Sequence, residues 1–149
     1  MLLVANRVTF GTTPAVQAEI TQLGISGWVD AQLALTGPDP AVEAQLGGFR
    51  TLGVSRQAMY AIAQEQNDPV EEELVHSNVL RARSSRHQLF EMMAHFWMDH
   101  FNVYLDSGRW KHLHIDYQEN VIRPNALGRF SDLLQATAES PAMLVYLDN

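Results

Sequence analysis

An all-α fold, an orthogonal multi-helix bundle, is what this sequence predicts, and three observations carry it. Helix-opening signals recur along the chain: Ser, Thr or Asp followed by Pro, or by Glu or Gln three places on. Between them the apolar residues return every three or four positions, and alternating strand patterns are few. No repeat, low-complexity stretch or linker divides the 149 residues. That length suits one domain able to bury roughly 70% of its unfolded surface. Residues 1–149 therefore read as a single helical region.

The elements follow in order. Thr13 caps a helix that starts at Pro14 and carries Val16, Ile20 and Leu23 on one face. Gly24 suits the left-handed position after its last turn, with Ile25 as the apolar contact. Ser26 opens a second helix bearing Trp28, Val29 and Leu33, which Thr36-Gly-Pro-Asp-Pro40 ends. Asp39-Pro40 starts one short turn with Val42 and Leu46, broken by Gly47-Gly48. Ser55 caps a helix through about Gln66. Asp68-Pro69-Val70-Glu71 is a capping box with Val70, Leu74 and Val75 behind it. Ser84-Ser85 interrupts that run, and Ser85 followed by Gln88 opens a helix at about 86–104, ended by Ser107-Gly108. A helix at about 110–122 places Leu113, Tyr117 and Val121 four residues apart and closes before Pro124, because the residue preceding Pro avoids the α region. A helix at about 125–138 carries Leu127, Phe130, Leu133 and Leu134; Ser140-Pro141 opens another that runs to the end of the sequence. A domain seldom stops on such an apolar segment, so the chain reads as the N-terminal part of a larger helical domain.

Composition narrows the partners. Acidic residues outnumber basic ones 17 to 10, for a net charge of −7. That opposes broad binding to a phosphate backbone, so no nucleic acid is expected. No apolar run approaches a transmembrane segment. Met1-Leu-Leu-Val-Ala lacks the basic flank and full apolar core of a signal peptide. The absence of cysteine removes disulfides, thiol catalysis and cysteine-ligated metal.

The segment 86–104 holds the most informative chemistry. At helical spacing His87, Glu91, His95, Asp99 and Asn102 share an arc of about 120°, opposite Phe90, Met93, Phe96, Trp97, Phe101, Val103 and Tyr104. His100 sits inside that apolar arc. A buried imidazole needs partners for both nitrogens, so His100 is expected either as a hydrogen-bonded core residue or as a functional one, and it is the best catalytic candidate. His87, Glu91, His95 and Asp99 lie at four-residue steps, the spacing at which a helix can hold a metal but also the spacing of a solvated face with weak side-chain pairs. His112-Leu-His114-Ile-Asp116 would converge on a strand, as in metallo-β-lactamase-like hydrolases, but the closing His is Tyr117. On a helix the two imidazoles point apart. The cluster Arg81, Arg83 and Arg86 suits either an anion or neighbouring carboxylates. Neither a phosphate-binding loop nor a dinucleotide fingerprint is present.

Several ordered segments resemble one bacterial family, domain of unknown function 1800. Asn6-Arg-Val-Thr-Phe-Gly-Thr-Thr-Pro14 resembles its opening Arg-x-Thr-Phe-Gly-x-Thr-Pro element, placing Arg7, Phe10 and Gly11 in a family motif. Leu23-Gly-Ile-Ser-Gly-Trp-Val-Asp-Ala-Gln-Leu33 resembles the next helix entry. Phe96-Trp-Met-Asp-His-Phe-Asn102 resembles the Phe-Trp-x-x-His-Phe signature, which maps onto Trp97, His100 and Phe101. Ile122-Arg-Pro-Asn-Ala-Leu-Gly-Arg-Phe-Ser-Asp-Leu-Leu134, with Arg123 and Gly128, and Pro141-Ala-Met-Leu-Val-Tyr-Leu-Asp148 complete the match. The resemblance implies a longer protein whose next stretch is an acidic helix, and an exported or periplasmic destination. It implies no particular activity or cofactor.

Two functions follow as expectations. One is an exported binding or scaffold module in the cell envelope, partnered by another protein or an envelope component, with His100, Trp97 and Phe101 as packing residues. The alternative is an exported metal- or cofactor-dependent enzyme that combines His100, Asp148 and Asn149 with carboxylates supplied from beyond the segment. If further chain packs on 86–104 and 125–147, this segment alone exposes their apolar faces and self-associates.

Overall fold

In the computed structural model, residues 2–35, 37–104 and 110–148 are described, with Leu2 by its backbone alone. Met1, Thr36, the Ser107-Gly108 stop and Asn149 lie outside the described residues. The fold is all-α; no strand occurs among the described residues.

Local chemistry sets the helix starts. α1 (Leu2–Val8), which the sequence pattern did not announce, ends where the Thr9 hydroxyl donates to the Ala5 carbonyl. α2 (Pro14–Ala34) is capped by Thr13, whose Oγ1 accepts from Val16 N at 3.2 Å. Within this span two helices meet at Gly24, as expected, where φ 70° and ψ 169° break the helical path in a conformation open essentially to glycine alone. Asp39 caps α3 (Pro40–Leu46) and Ser55 caps α4 (Arg56–Ile62), each through a backbone amide. α4 stops short of Gln66. Before α5 (Val70–Ser84), Asp68 accepts from Val70 N through one carboxylate oxygen and pairs with Lys111 through the other.

The helix expected at 86–104 is shorter. α6 spans Gln88–His100, because Ser85 does not cap it. Ser85 ends α5, its Oγ accepts from His87 N, and Gln88 turns back to donate to the Ala82 and Ser85 carbonyls.

The largest departure lies at Pro124. α7 (His112–Tyr117) continues through a π-turn (Gln118–Ile122) into α8 (Arg123–Asn125), so the chain stays helical past the proline. Arg123 sits at φ −59° and ψ −44°, inside the region that a residue before Pro usually avoids. Proline supplies no N–H and its ring crowds the carbonyl one turn back. The wider π-turn relieves that crowding. α9 (Phe130–Ala138) begins five residues later than expected, and Ser140 caps α10 (Pro141–Tyr146).

The α7–π–α8 rod is the hub, packed by α4, α5, α6, α9 and α10. Its Leu113, Tyr117, Val121 and Ile122 join Val103 and Leu133 in the largest core cluster. Met59, Val70 and Ile115 form a second cluster between α4, α5 and α7. Ala5, Ile20 and Trp28 join α1 to α2, and Phe90, Ala94 and Ala126 tie α6 to the end of the rod.

Candidate functional site

α6 presents two different surfaces, and the candidate residues divide between them. On one side lie the rings of the Phe-Trp-x-x-His-Phe signature. Trp97 anchors them: its indole N–H donates to the Ala126 carbonyl at 3.0 Å, and its ring stacks on Phe101 and leans on Phe130. Phe101 also stacks on Phe130, and its carbonyl accepts from the Tyr117 hydroxyl at 2.9 Å. Burial pushes the Tyr117 phenol up to about 12, which keeps it a donor.

His100 corrects the expectation of a buried imidazole. It lies exposed at the end of α6, stacked on Phe96 with 14° between the planes and met edge-on by Trp97 and Phe101. The apolar arc is therefore only partly core. Phe90 and Val103 are buried, whereas Phe96 is 50% exposed, Phe130 on α9 is 53% exposed, and Tyr104 is exposed. Leu127 and Leu134, expected inside, are exposed as well.

The other side of α6 carries the polar arc, and here the solvated-face expectation fails at the N-terminal half. Glu91 is 4% exposed and both its oxygens accept from Arg123, at 2.7 and 3.0 Å. Arg123 also lies over the Phe90 ring. His87 is buried, with Nδ1 2.7 Å from the Gly37 carbonyl. His95 and Asp99 are exposed and face each other at 3.8 Å. Glu91, His95 and Asp99 do converge, on a cleft of 360 Å³ that Phe10 walls with its ring edge-on to His95. Among the described residues no group of three or more His, Asp or Glu side chains is placed to hold one metal ion.

Sequence reasoning missed the ionic chain behind this cleft. Arg81, 2% exposed, donates from α5 to Glu43 on α3 and to Glu119 in the π-turn. Glu119 in turn lies 3.9 Å from Arg123, which holds Glu91. Burial alone would raise the Glu119 carboxyl; the Arg81 guanidinium, with Arg123 behind it, overcomes this and holds it below the usual carboxylate range. Of the arginine cluster noted in the sequence, Arg81 is thus structural, while Arg83 and Arg86 are exposed. These pairings join residues 38 positions apart, and nothing periodic announces them.

The His112-x-His114-x-Asp116 segment is helical, and its imidazoles do not converge on a strand. Asp116 binds Arg56 and Asn120. His112 Nδ1 and His114 Nε2 are buried without a hydrogen-bond partner among the described residues. Burial lowers both pKa values; for His112 the Arg56 charge adds to the effect and Asp116 offsets part of it.

The remaining motif residues are spread. Phe10 and Gly11 form the loop before α2, where Gly11 takes φ 146° and the Phe10 amide donates to Gln88. Arg7 is exposed on α1, Gly128 lies in the turn before α9, and Asp148 is exposed with φ 58°. No curated protein and no solved structure matches this chain. Residues 3–149 match the family described as protein of unknown function, DUF1800, and the chain belongs to that family.

Proposed function

We propose that this chain is a binding module of the cell envelope that docks another protein on the ring face of α6 and α9. One observation carries the reading: Phe96, His100 and Phe130 stand open to solvent on a layer fixed from beneath by Trp97 and Phe101. Rings held this way lose little conformational freedom on binding, and aromatic anchors dominate protein interfaces. Charge argues for a protein over an anionic lipid surface or nucleic acid, since the same two helices carry Asp99 and Asp132 and the chain is at −7. The envelope location rests on the family resemblance. In this reading His100 is a contact residue.

The test places a photo-crosslinking amino acid at Phe96, at Phe130 and, as a control, at exposed Val75, in the producing cells. The expected result is one and the same protein adduct from positions 96 and 130, lost when His100→Asp is added, and none from position 75. Adducts that differ between 96 and 130, or none, would overturn the reading.

A further inference from the structure

The opening motif contributes a second cleft that the ring face does not use. A cleft of 880 Å³ lies between the Phe10–Thr13 loop and the start of α2 on one side, and the end of α5 with the α5–α6 turn on the other. Its volume falls in the range of small-molecule sites, roughly 300–1,000 Å³. Its walls are held by two buried amides. Gln32 donates to the Arg86 carbonyl at 3.0 Å and accepts from Leu89 N. Gln88 accepts from the Phe10 amide at 3.1 Å and donates to the Ala82 and Ser85 carbonyls. Loop and turn are therefore fixed relative to each other.

The lining decides what such a cleft takes. Arg83 and Arg86 face it, and neither guanidinium has a carboxylate partner among the described residues. Thr12, Thr13, Ser84 and Ser85 also line it, with the Thr12 hydroxyl donating to Asn6 and those of Thr13 and Ser85 accepting backbone amides. Glu19 is the one carboxylate on the lining among the described residues, and it accepts the Trp28 indole N–H at 3.2 Å. The cleft thus carries an excess of one positive charge on a chain at −7. Phe10, Val16 and Val79 add an apolar side. A guanidinium recognises planar or tetrahedral anions through forked hydrogen bonds.

We propose that this cleft binds a small organic anion, a compact carboxylate or phosphate head on a short apolar body. The head lies against Arg83 and Arg86, and the body lies against Phe10 and Val79. The ring face on α6 takes no part.

The test titrates the ¹⁵N-labelled chain with phenyl phosphate, phenylacetate and phenethylamine, probes of similar body and different charge. The expected result is saturable shifts of the Gly11, Thr12 and Ser85 amides with at least one of the two anions. Phenethylamine should bind at least tenfold more weakly. Arg83→Gln with Arg86→Gln should weaken the anion at least tenfold while leaving circular dichroism unchanged, since both side chains are exposed. The preferred anion identifies the head group. Equal binding of the amine, an unweakened double variant, or no saturable shift with either anion would overturn the proposal. None of these outcomes bears on the crosslinking test of the ring face.

Discussion

Replacing Arg81 with Met should show how much of the fold rests on the buried ionic chain. The Arg81 guanidinium makes bonds of 3.2 and 3.4 Å to Glu43, and of 2.5 and 3.1 Å to Glu119. Through them α5 is joined to α3 and to the π-turn. Methionine keeps most of the apolar stem and removes every donor. Glu43, whose side chain is 35% exposed, can rehydrate and contributes little to the cost. Glu119 cannot do so easily: its side chain is 19% exposed and, among the described residues, keeps only the Gln118 amide and the more distant Arg123. Removing one partner of a buried pair costs about 3–5 kcal/mol, and the surviving contacts place this case near the lower end. Against a total stability of about 5–15 kcal/mol for a domain, that is a large fraction.

The pH dependence gives the argument its sign. With Arg81 present, Glu119 has a lowered pKa, so its contribution is present above the ordinary carboxylate range and is lost as pH falls through the folded value. Without Arg81, burial dominates and the Glu119 pKa rises. The penalty of Arg81→Met should then be full at pH 7 and shrink toward pH 4, as Glu119 takes up a proton. Urea unfolding at 25 °C measures both. Adding Glu119→Gln to the variant should recover at least half of the loss at pH 7. Arg83→Met, on an exposed arginine, should change stability by less than about 0.5 kcal/mol. A loss below about 1 kcal/mol at pH 7, or a larger one that neither acid nor Glu119→Gln reduces, would refute the reasoning.

Other measurements follow from the same structure. His112 and His114 have lowered pKa values in the fold, so the unfolded chain binds protons first as pH falls below about 6.5. Stability should be level above that pH and decline between 6.5 and 5, by at most about 1.4 kcal/mol per pH unit for each histidine; His112→Phe should flatten the slope, and a flat wild-type curve would count against buried neutral imidazoles. Gly24→Ala should cost about 1–3 kcal/mol in a thermal melt, because φ 70° with ψ 169° is strained for any side chain even though nothing lies within 4 Å of the added carbon. Sedimentation at rising concentration should show self-association of the wild-type chain through the ring face, reduced by Phe96→Ser with Phe130→Ser; an unchanged association constant would move the contact elsewhere.

Helix starts were the most legible part of the fold, because a cap is local chemistry. Thr13, Ser55 and Ser140 each accept the amide three residues on, as their spacing implies. Ser85 carried the same signal and failed, since its hydroxyl accepts the His87 amide two residues on instead of the amide three residues on. Around α6 the helical wheel grouped the rings correctly and misjudged their surroundings: it tells which side chains share a face, not whether another element covers it. His100 was singled out for being polar among apolar residues, and it is exposed because that face is open. Glu91 was read as a surface residue for the converse reason, as its partner Arg123 lies 32 residues further on. The cleft bearing Arg83 and Arg86 was half visible as a basic cluster; its facing wall comes from a motif more than 70 residues earlier.

The π-turn has a consequence for tolerance to insertions and deletions. A single π-turn is one residue more than a regular helix needs. The extra residue is taken up inside the turn, so the side chains of α7 and α8 point nearly as they would if a regular helix one residue shorter joined them. Deleting one residue of Gln118–Ile122 would therefore leave Leu113 and Tyr117 in the core with Arg123 still directed at Glu91. What it would restore is the crowding of the Pro124 ring against the carbonyl one turn back. A length change at this turn should thus cost a local clash and keep both halves in register, whereas one inside α7 would rotate every contact beyond it.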